Sequence, residues 1–321
     1  MGIIVENPGI QTTVQDEGRF GYQQFGVSPA GPMDTQSFYI ANILAGNRRG
    51  ESALEITFMG PELKFEKDNI IAVTGANVSP SVNGEAIPMY QAVLVHAGDT
   101  LSFGVASGGS RAYIAFSGGL DVPVVMGSKA TLMRNKLGGV EGRKLEKGDR
   151  IGFCCPRTTL PNMEMRRMEP EVFPQGDITL RVVTGPQDSA FTEEEVRKFF
   201  WYSAVITNES DRMGIRLERE EPLKHIKDGN ILTDGVAFGS IQVPTNGQVI
   251  IMMADRQTTG GYAKIGQVAL VDLPRLAQMR PGDKICFAWT TLTEAEKSYA
   301  KQETYLAALK DSLAATLQKK N

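Results

Sequence analysis

Three copies of one short pattern, Gly-Asp-x-aliphatic-x-Phe, constrain this chain more than any other feature. They are Gly98-Asp99-Thr100-Leu101-Ser102-Phe103, Gly148-Asp149-Arg150-Ile151-Gly152-Phe153 and Gly282-Asp283-Lys284-Ile285-Cys286-Phe287. In each, the glycine supplies the backbone angles of a tight turn, and apolar residues at every second position then lay one face of a strand on a core. A second echo pairs Ile3-Ile4-Val5-Glu6-Asn7-Pro8-Gly9 with Leu180-Arg181-Val182-Val183-Thr184-Gly185-Pro186, each ahead of such a strand. The two echoes together predict a mostly-β chain made of two related β-rich domains. The 34 glycines and the 7% aromatic content suit short strands and tight turns better than a helical bundle.

At 321 residues the chain suits two cores of ordinary size. Cys155 to Gly176 carries Pro156, Pro161, Pro170 and Pro174 with mixed charge and no hydrophobic period, which marks a connector. The division expected is an N-terminal domain at 1–155, a connector at 156–176, a C-terminal domain at 177–290 and a C-terminal helix at 291–321. Few helices are signposted. Asp34 caps one that runs through Phe38, Ala41 and Leu44 and stops at Gly46, and Thr192 with Glu195 forms a capping box for a second. In the tail, Thr293 and Glu296 form another box, and Tyr299, Leu306, Leu309, Leu313 and Leu317 make an apolar stripe that must bury against something.

Several function classes are disfavoured at once. A formal net charge of -3 provides no field to gather nucleic acid, and no apolar stretch reaches membrane-spanning length. The start, Met1-Gly2-Ile3-Ile4-Val5-Glu6, has no export signature, and Cys154, Cys155 and Cys286 form neither a disulfide framework nor a CxxC site. A cytoplasmic location is expected. With only two histidines, His96 in a strand pattern and His225 in a charged stretch, neither a His-dependent triad nor a zinc site has enough members. Gly104 to Ser110 has the glycine spacing of a phosphate loop without its Lys and is expected to be a hairpin loop.

Polar residues crowd instead into loops between apolar strands, where function concentrates. The first cluster is Val14-Gln15-Asp16-Glu17-Gly18-Arg19 with Gly31-Pro32-Met33-Asp34, for which a turn plus helix cap competes with a site using Arg19 and Asp34. The second, Thr74-Gly75-Ala76-Asn77, follows an apolar strand, and turn chemistry alone accounts for Gly75 and Asn77. The third, Ser210 to Leu217, sets Asp211 beside Arg212, with an exposed ion pair as the plain alternative. In the fourth, Gly239 to Pro244 carries Gln242, and the strand Val249 to Met253 leads into Ala254-Asp255-Arg256-Gln257-Thr258-Thr259-Gly260-Gly261-Tyr262. A carboxylate, a guanidinium, an amide, two hydroxyls and a phenol at the end of a buried strand form an inventory that a surface loop rarely needs.

The runs SDRMGIRL, IQVP, DRQTTGGY and LAQMRPGD, together with VQDEGRFG, GPMD, TGAN, SGGLD and GSKAT in order, resemble the family called allophanate hydrolase subunit 2. The resemblance extends from Val5 to Phe287 and leaves out the C-terminal helix. One departure is Ala130, where the family usually carries Ser. The family includes the C subunit of bacterial 5-oxoprolinase, the KipI antagonist of bacilli and the carboxyltransferase domain of urea carboxylase. For a free-standing chain of this length the resemblance implies two cyclophilin-like β-barrel domains and a place in a complex with two 5-oxoprolinase partners, a KipI-like B subunit and an A subunit. The complex would open 5-oxo-L-proline to L-glutamate with ATP as co-substrate. It implies no cofactor tightly bound by this chain and no biotin attached to it, since no Ala-Met-Lys-Met type site occurs. The isolated chain is expected to be inactive.

In that frame Asp211, Arg212, Asp255 and Arg256 are the catalytic candidates, stabilising oxyanion charge or handling protons. Gln242, Thr258, Thr259, Tyr262, Asn77, Arg19 and Asp34 are the substrate-binding candidates, and no metal is expected. Two alternatives stay open: a biotin-dependent carboxyltransferase subunit working with a separate carrier, and a regulatory module that binds a KipI-like protein.

Overall fold

The computed structural model describes residues 1–227 and 229–314. Leu317, the last member of the expected stripe, lies outside them. The chain forms two compact units that do not follow the linear division. The first holds Met1–Arg19, Asp34–Phe173 and the segment from Glu303 on, and the second holds Phe20–Met33 and Pro174–Gln302. Burial explains the regrouping. Met33 is fully buried in the apolar core of the second unit, while Leu306 and Leu313 bury against the first unit's own helix cluster.

In the first unit the strands pair as two sheets. A five-stranded antiparallel sheet runs in the order Gln11–Gln15, Ala53–Thr57, Ser107–Phe116, Asn69–Asn77, Ala92–Val95. A seven-stranded sheet contains Gly2–Asn7 flanked by Arg150–Phe153 and Glu62–Phe65. Alternate residues of both sheets, including Ile3, Val5, Leu54, Ile56, Phe65, Ile114, Phe116 and Phe153, share one core, as the strand period of two requires. The opposite face of the five-stranded sheet presents Ala53, Ala72, Tyr113 and Ala115 to helix α1 (Thr35–Leu44). Asp34 caps α1 as expected, its carboxylate accepting from the Ser37 N–H at 2.9 Å.

The three repeated turns are one structure built three times. Gly98, Gly148 and Gly282 have φ of 94°, 92° and 94°, in the left-handed region where a side chain is strained. The aspartate that follows each accepts from the amide three residues before it, at 2.8 Å from His96, 2.8 Å from Glu146 and 2.7 Å from Arg280. The echoed opening strands differ in partner direction. Gly2–Asn7 pairs antiparallel with Arg150–Phe153, whereas Asp177–Thr184 pairs parallel with Lys284–Trp289.

That parallel pair closes the second unit into a seven-stranded barrel. Its order is Asp177–Thr184, Ala263–Val268, Ser240–Val243, Val249–Met252, Gly214–Glu218, Ala204–Ile206, Lys284–Trp289. Ile215, Leu217, Ile241, Val243, Val249 and Ile251 point into its core, so Arg216, Gln242 and Ile250, aligned across neighbouring strands, lie on the outer face.

Helix α2 (Glu193–Trp201) is capped by Thr192, but Glu195 accepts from the Lys224 N–H instead of closing the box. After the short α3 (Leu273–Ala277), α4 (Leu292–Ala314) is capped by a box two residues earlier than expected: Thr291 and Glu294 exchange hydrogen bonds of 3.2 and 3.0 Å. In the expected stripe Leu306 and Leu313 are buried, Leu309 is partly so and Tyr299 is exposed. No helix of the described residues is long and apolar enough to cross a membrane. The Gly104–Ser110 segment is not a hairpin loop, because the strands it joins lie in different sheets and residues 107–110 already belong to the long central strand.

Candidate active site

In the first unit the motif residues bind one another. Asp16 accepts from Ser128 Oγ at 2.6 Å and from the Lys129 N–H at 2.6 Å, so the VQDEGR and GSKAT segments form one polar joint. Arg19 is fully buried and donates to the carbonyls of Val125 (2.8 Å) and Ala130 (3.0 Å). Burial pushes its pKa down, with Asp16 opposing that shift. Ala130 takes part in this joint through its carbonyl, which any residue supplies. The fully buried Asp34 carries out the capping role and also takes Tyr113 Oη as acceptor of its own N–H at 2.8 Å. Tyr113 Oη in turn donates to Glu55 at 2.7 Å. Asn77 is exposed and accepts from the Ser79 N–H, which is turn chemistry.

In the second unit three of the four catalytic candidates are packed inside. Arg212 and Asp255, with side chains 4% and 6% exposed, form a two-pronged pair at 3.0 and 2.9 Å, the fork geometry that Arg offers a carboxylate. Arg212 Nη2 also donates to the Gly31 carbonyl at 2.6 Å, which ties the GPMD segment to this loop. Arg256 lies 5.6 Å from the Phe238 ring centroid and donates to the carbonyls of Val236 (3.0 Å) and Met253 (3.4 Å). Burial lowers its pKa to about 10, partly countered by Asp255. Asp211 is exposed, and its Oδ1 accepts from the Met213 and Gly214 amides at 2.8 and 3.1 Å. The Ser210 to Leu217 cluster, for which an exposed ion pair was the plain alternative, is two things: a turn built by Asp211 and a buried knot built by Arg212.

The substrate-binding candidates separate similarly. Thr258 is buried and its carbonyl accepts from the Val236 N–H at 3.0 Å, while Thr259 is exposed in a two-residue strand against Gly235. Neither Gly260 nor Gly261 has a left-handed φ; a Cβ on Gly261 would press on the Ile231 carbonyl at 3.0 Å, whereas one on Gly260 would meet only the movable end of the Gln257 side chain at 2.9 Å. Gln242 and Tyr262 both line a cavity of about 760 Å³ on the barrel's outer face. Arg216, Thr207, Gln257 and Met252 also line it. Gln242 is 1% exposed, its Oε1 accepts from Gln257 Nε2 at 3.3 Å, and its own Nε2 has no partner among the described residues. Thr207 Oγ1 is likewise buried without one.

Arg216, Thr207 and Gln257 are the residues missing from the sequence-derived set. A period-two signal was available for Arg216 and Gln242, each flanked by core residues on both sides. Only tertiary structure brings Thr207 and Gln257 to the same wall. Neither histidine joins this site: His225 packs at a tilt against Phe191 with ring centroids 4.8 Å apart, and His96 lies just past its strand, 3.2 Å from Asp68. Among the described residues no group of three or more His, Cys, Asp or Glu is placed to hold a metal.

Residues 25–289 match the model of the family described as carboxyltransferase domain, subdomain A and B. The chain belongs to the carboxyltransferase-domain family. Among its relatives in this family, the C subunit of 5-oxoprolinase from Escherichia coli (strain K12) is 36% identical over 302 residues, 94% of this chain and 95% of that protein. Its counterpart from Haemophilus influenzae, likewise named as the C subunit of 5-oxoprolinase, is 37% identical over 305 residues, 92% and 94% of the two chains. The crystal structure of the K. lactis urea amidolyase superposes with a TM-score of 0.87 at 32% identity, over 96% of this chain but 20% of that one. The likeness to the two 5-oxoprolinase proteins thus runs end to end on both sides, whereas in the amidolyase it is one part of a much longer chain.

Proposed function

We propose that this chain is the C subunit of a 5-oxoprolinase, a hydrolase complex that opens the lactam of 5-oxo-L-proline to L-glutamate with ATP as co-substrate. The observation that carries the reading is the end-to-end match to two proteins named as that component of the enzyme. Two partners, the A and B subunits, complete the enzyme, and the isolated chain does not turn over. Opening a lactam places negative charge on the carbonyl oxygen, so a site needs donors aimed at that atom. The wall of the outer-face cavity carries one such donor, the Gln242 amide, with the Tyr262 phenol and the Arg216 guanidinium lining the same cavity. The Arg212–Asp255 pair and the Arg256 hydrogen bond to Val236 anchor the loops that carry Met213 and Gln257 of this wall.

The test is reconstitution. The purified chain alone should show no 5-oxoproline-dependent ATP hydrolysis, and addition of the two partners should produce it together with glutamate. Turnover by the isolated chain, or none by the three together, would refute the assignment. The family description and the amidolyase superposition favour a second reading, carboxyl transfer from a biotin carried elsewhere. Carboxylation of an amide substrate only in the presence of a biotinylated carrier would select it.

A further inference from the structure

Buried polar atoms are almost always satisfied, and each exception calls for a specific cause. Two of the exceptions in this molecule, Gln242 Nε2 and Thr207 Oγ1, lie on the wall of one cavity in the second unit. Gln242 is held in place by its strand, whose flanking residues Ile241 and Val243 are fully buried, and by the contact from Gln257 to its Oε1. Its amide is thus a positioned donor with no acceptor among the described residues. Beside it, the exposed Arg216 guanidinium makes no ion pair or hydrogen bond among the described residues. Ile250 separates the two along the strand register and gives the floor an apolar patch.

We infer that this cavity is the recognition site for a small carboxylate that also bears an amide carbonyl, with the carbonyl oxygen on Gln242 Nε2 and the carboxylate on Arg216. The inference rests on the lactam-opening reading for the identity of that molecule, 5-oxoproline, and on geometry for its place. A lactam edge carries both a C=O and an N–H, so it complements the Gln242 amide in either of its two orientations. The Arg216 fork suits a carboxylate. Glu209 and Glu218 on the rim disfavour ligands with further negative charge.

The experiment titrates the full chain with 5-oxoproline, with 2-pyrrolidinone as the lactam lacking a carboxylate, and with L-glutamate, by ligand-observed NMR and calorimetry. Wild type should bind 5-oxoproline, and Gln242→Leu should weaken that binding by about tenfold or more while its melting temperature stays level or rises, because a stranded donor is removed. Arg216→Gln should weaken 5-oxoproline and glutamate by roughly five- to tenfold and leave 2-pyrrolidinone within about twofold. Undiminished binding in Gln242→Leu, or no binding of any of the three ligands to wild type, would overturn the site. Steady-state kinetics of the reconstituted complex separate the two ideas. Turnover with an unchanged KM in Gln242→Leu removes the site and keeps the function. Binding lost with Gln242, in a complex that opens no lactam, keeps the site and removes the function.

Discussion

The Arg212–Asp255 pair offers the sharpest check on how the second unit is built. Both side chains are almost wholly removed from water, and the two hydrogen bonds of 3.0 and 2.9 Å satisfy the carboxylate with the same guanidinium that holds the Gly31 carbonyl. Changing Asp255 to Asn keeps the volume but removes the carboxylate charge that the buried Arg212 fork holds. Removing one partner of such a pair costs about 3–5 kcal/mol, well beyond what the pair adds when intact. For a unit of this size that is a fall of about 6–20 °C in melting temperature. Arg212→Met should cost a similar amount, and in a double-mutant cycle with Asp255→Leu the two losses should be far from additive. Arg197–Glu193 is the internal control: with side chains 80% and 90% exposed, its loss should change stability by less than about 0.5 kcal/mol. Calorimetry and urea denaturation of the purified chain read each of these variants. A loss below about 1 kcal/mol for Asp255→Asn would show the pair to be solvated, and would make the Arg212 fork available to substrate.

Arg256→Lys should destabilise the chain by about 1–2 kcal/mol and lower its melting temperature, because an ammonium group lacks the fork that reaches the Val236 and Met253 carbonyls beside Phe238. Unchanged melting with lost complex activity would instead assign the guanidinium to substrate. Glu171 in the first unit is held up at about 7, chiefly by burial and then by the nearby Asp34. Its folded pKa exceeds the unfolded one, so its stabilisation is complete below about pH 4.5 and is lost as pH rises to about 7, by up to about 3 kcal/mol. Glu171→Gln should flatten that slope in pH-dependent melts, and an equal slope in the variant would assign it to other groups. Leu306→Ala should cost about 2–5 kcal/mol, since Leu306 is 2% exposed in the α1 cluster. A neutral result in thermal melts would mean that α4 is not held there.

Most of the architecture was legible in the chain. Glycine at a left-handed turn and apolar residues at period two are local rules, so the three Gly-Asp strands and the mostly-β class followed from neighbours in sequence. Helix starts were nearly as readable, because a cap and its target amide are three residues apart. The shift of the last box from Thr293 to Thr291 shows that neighbouring Thr and Glu residues offered competing registers. The roles of the polar motifs were less readable.

Arg212, Asp255 and Arg256 belong to conspicuous charged loops, and sequence alone does not distinguish a guanidinium that faces a ligand from one that holds its own backbone. That distinction depends on contacts 20 to 181 residues apart, such as Arg256 to Val236 and Arg212 to Gly31. The same holds for membership of the two units, where Met33 and Leu306 join cores remote in sequence because those cores are where their apolar surface is removed from water. What the sequence determined by itself was set by short-range geometry: turns, strand alternation and caps. What only the tertiary structure decided was which polar atoms find partners, and it left Gln242 Nε2 without one among the described residues because satisfaction of a buried donor depends on every group that packing brings within reach.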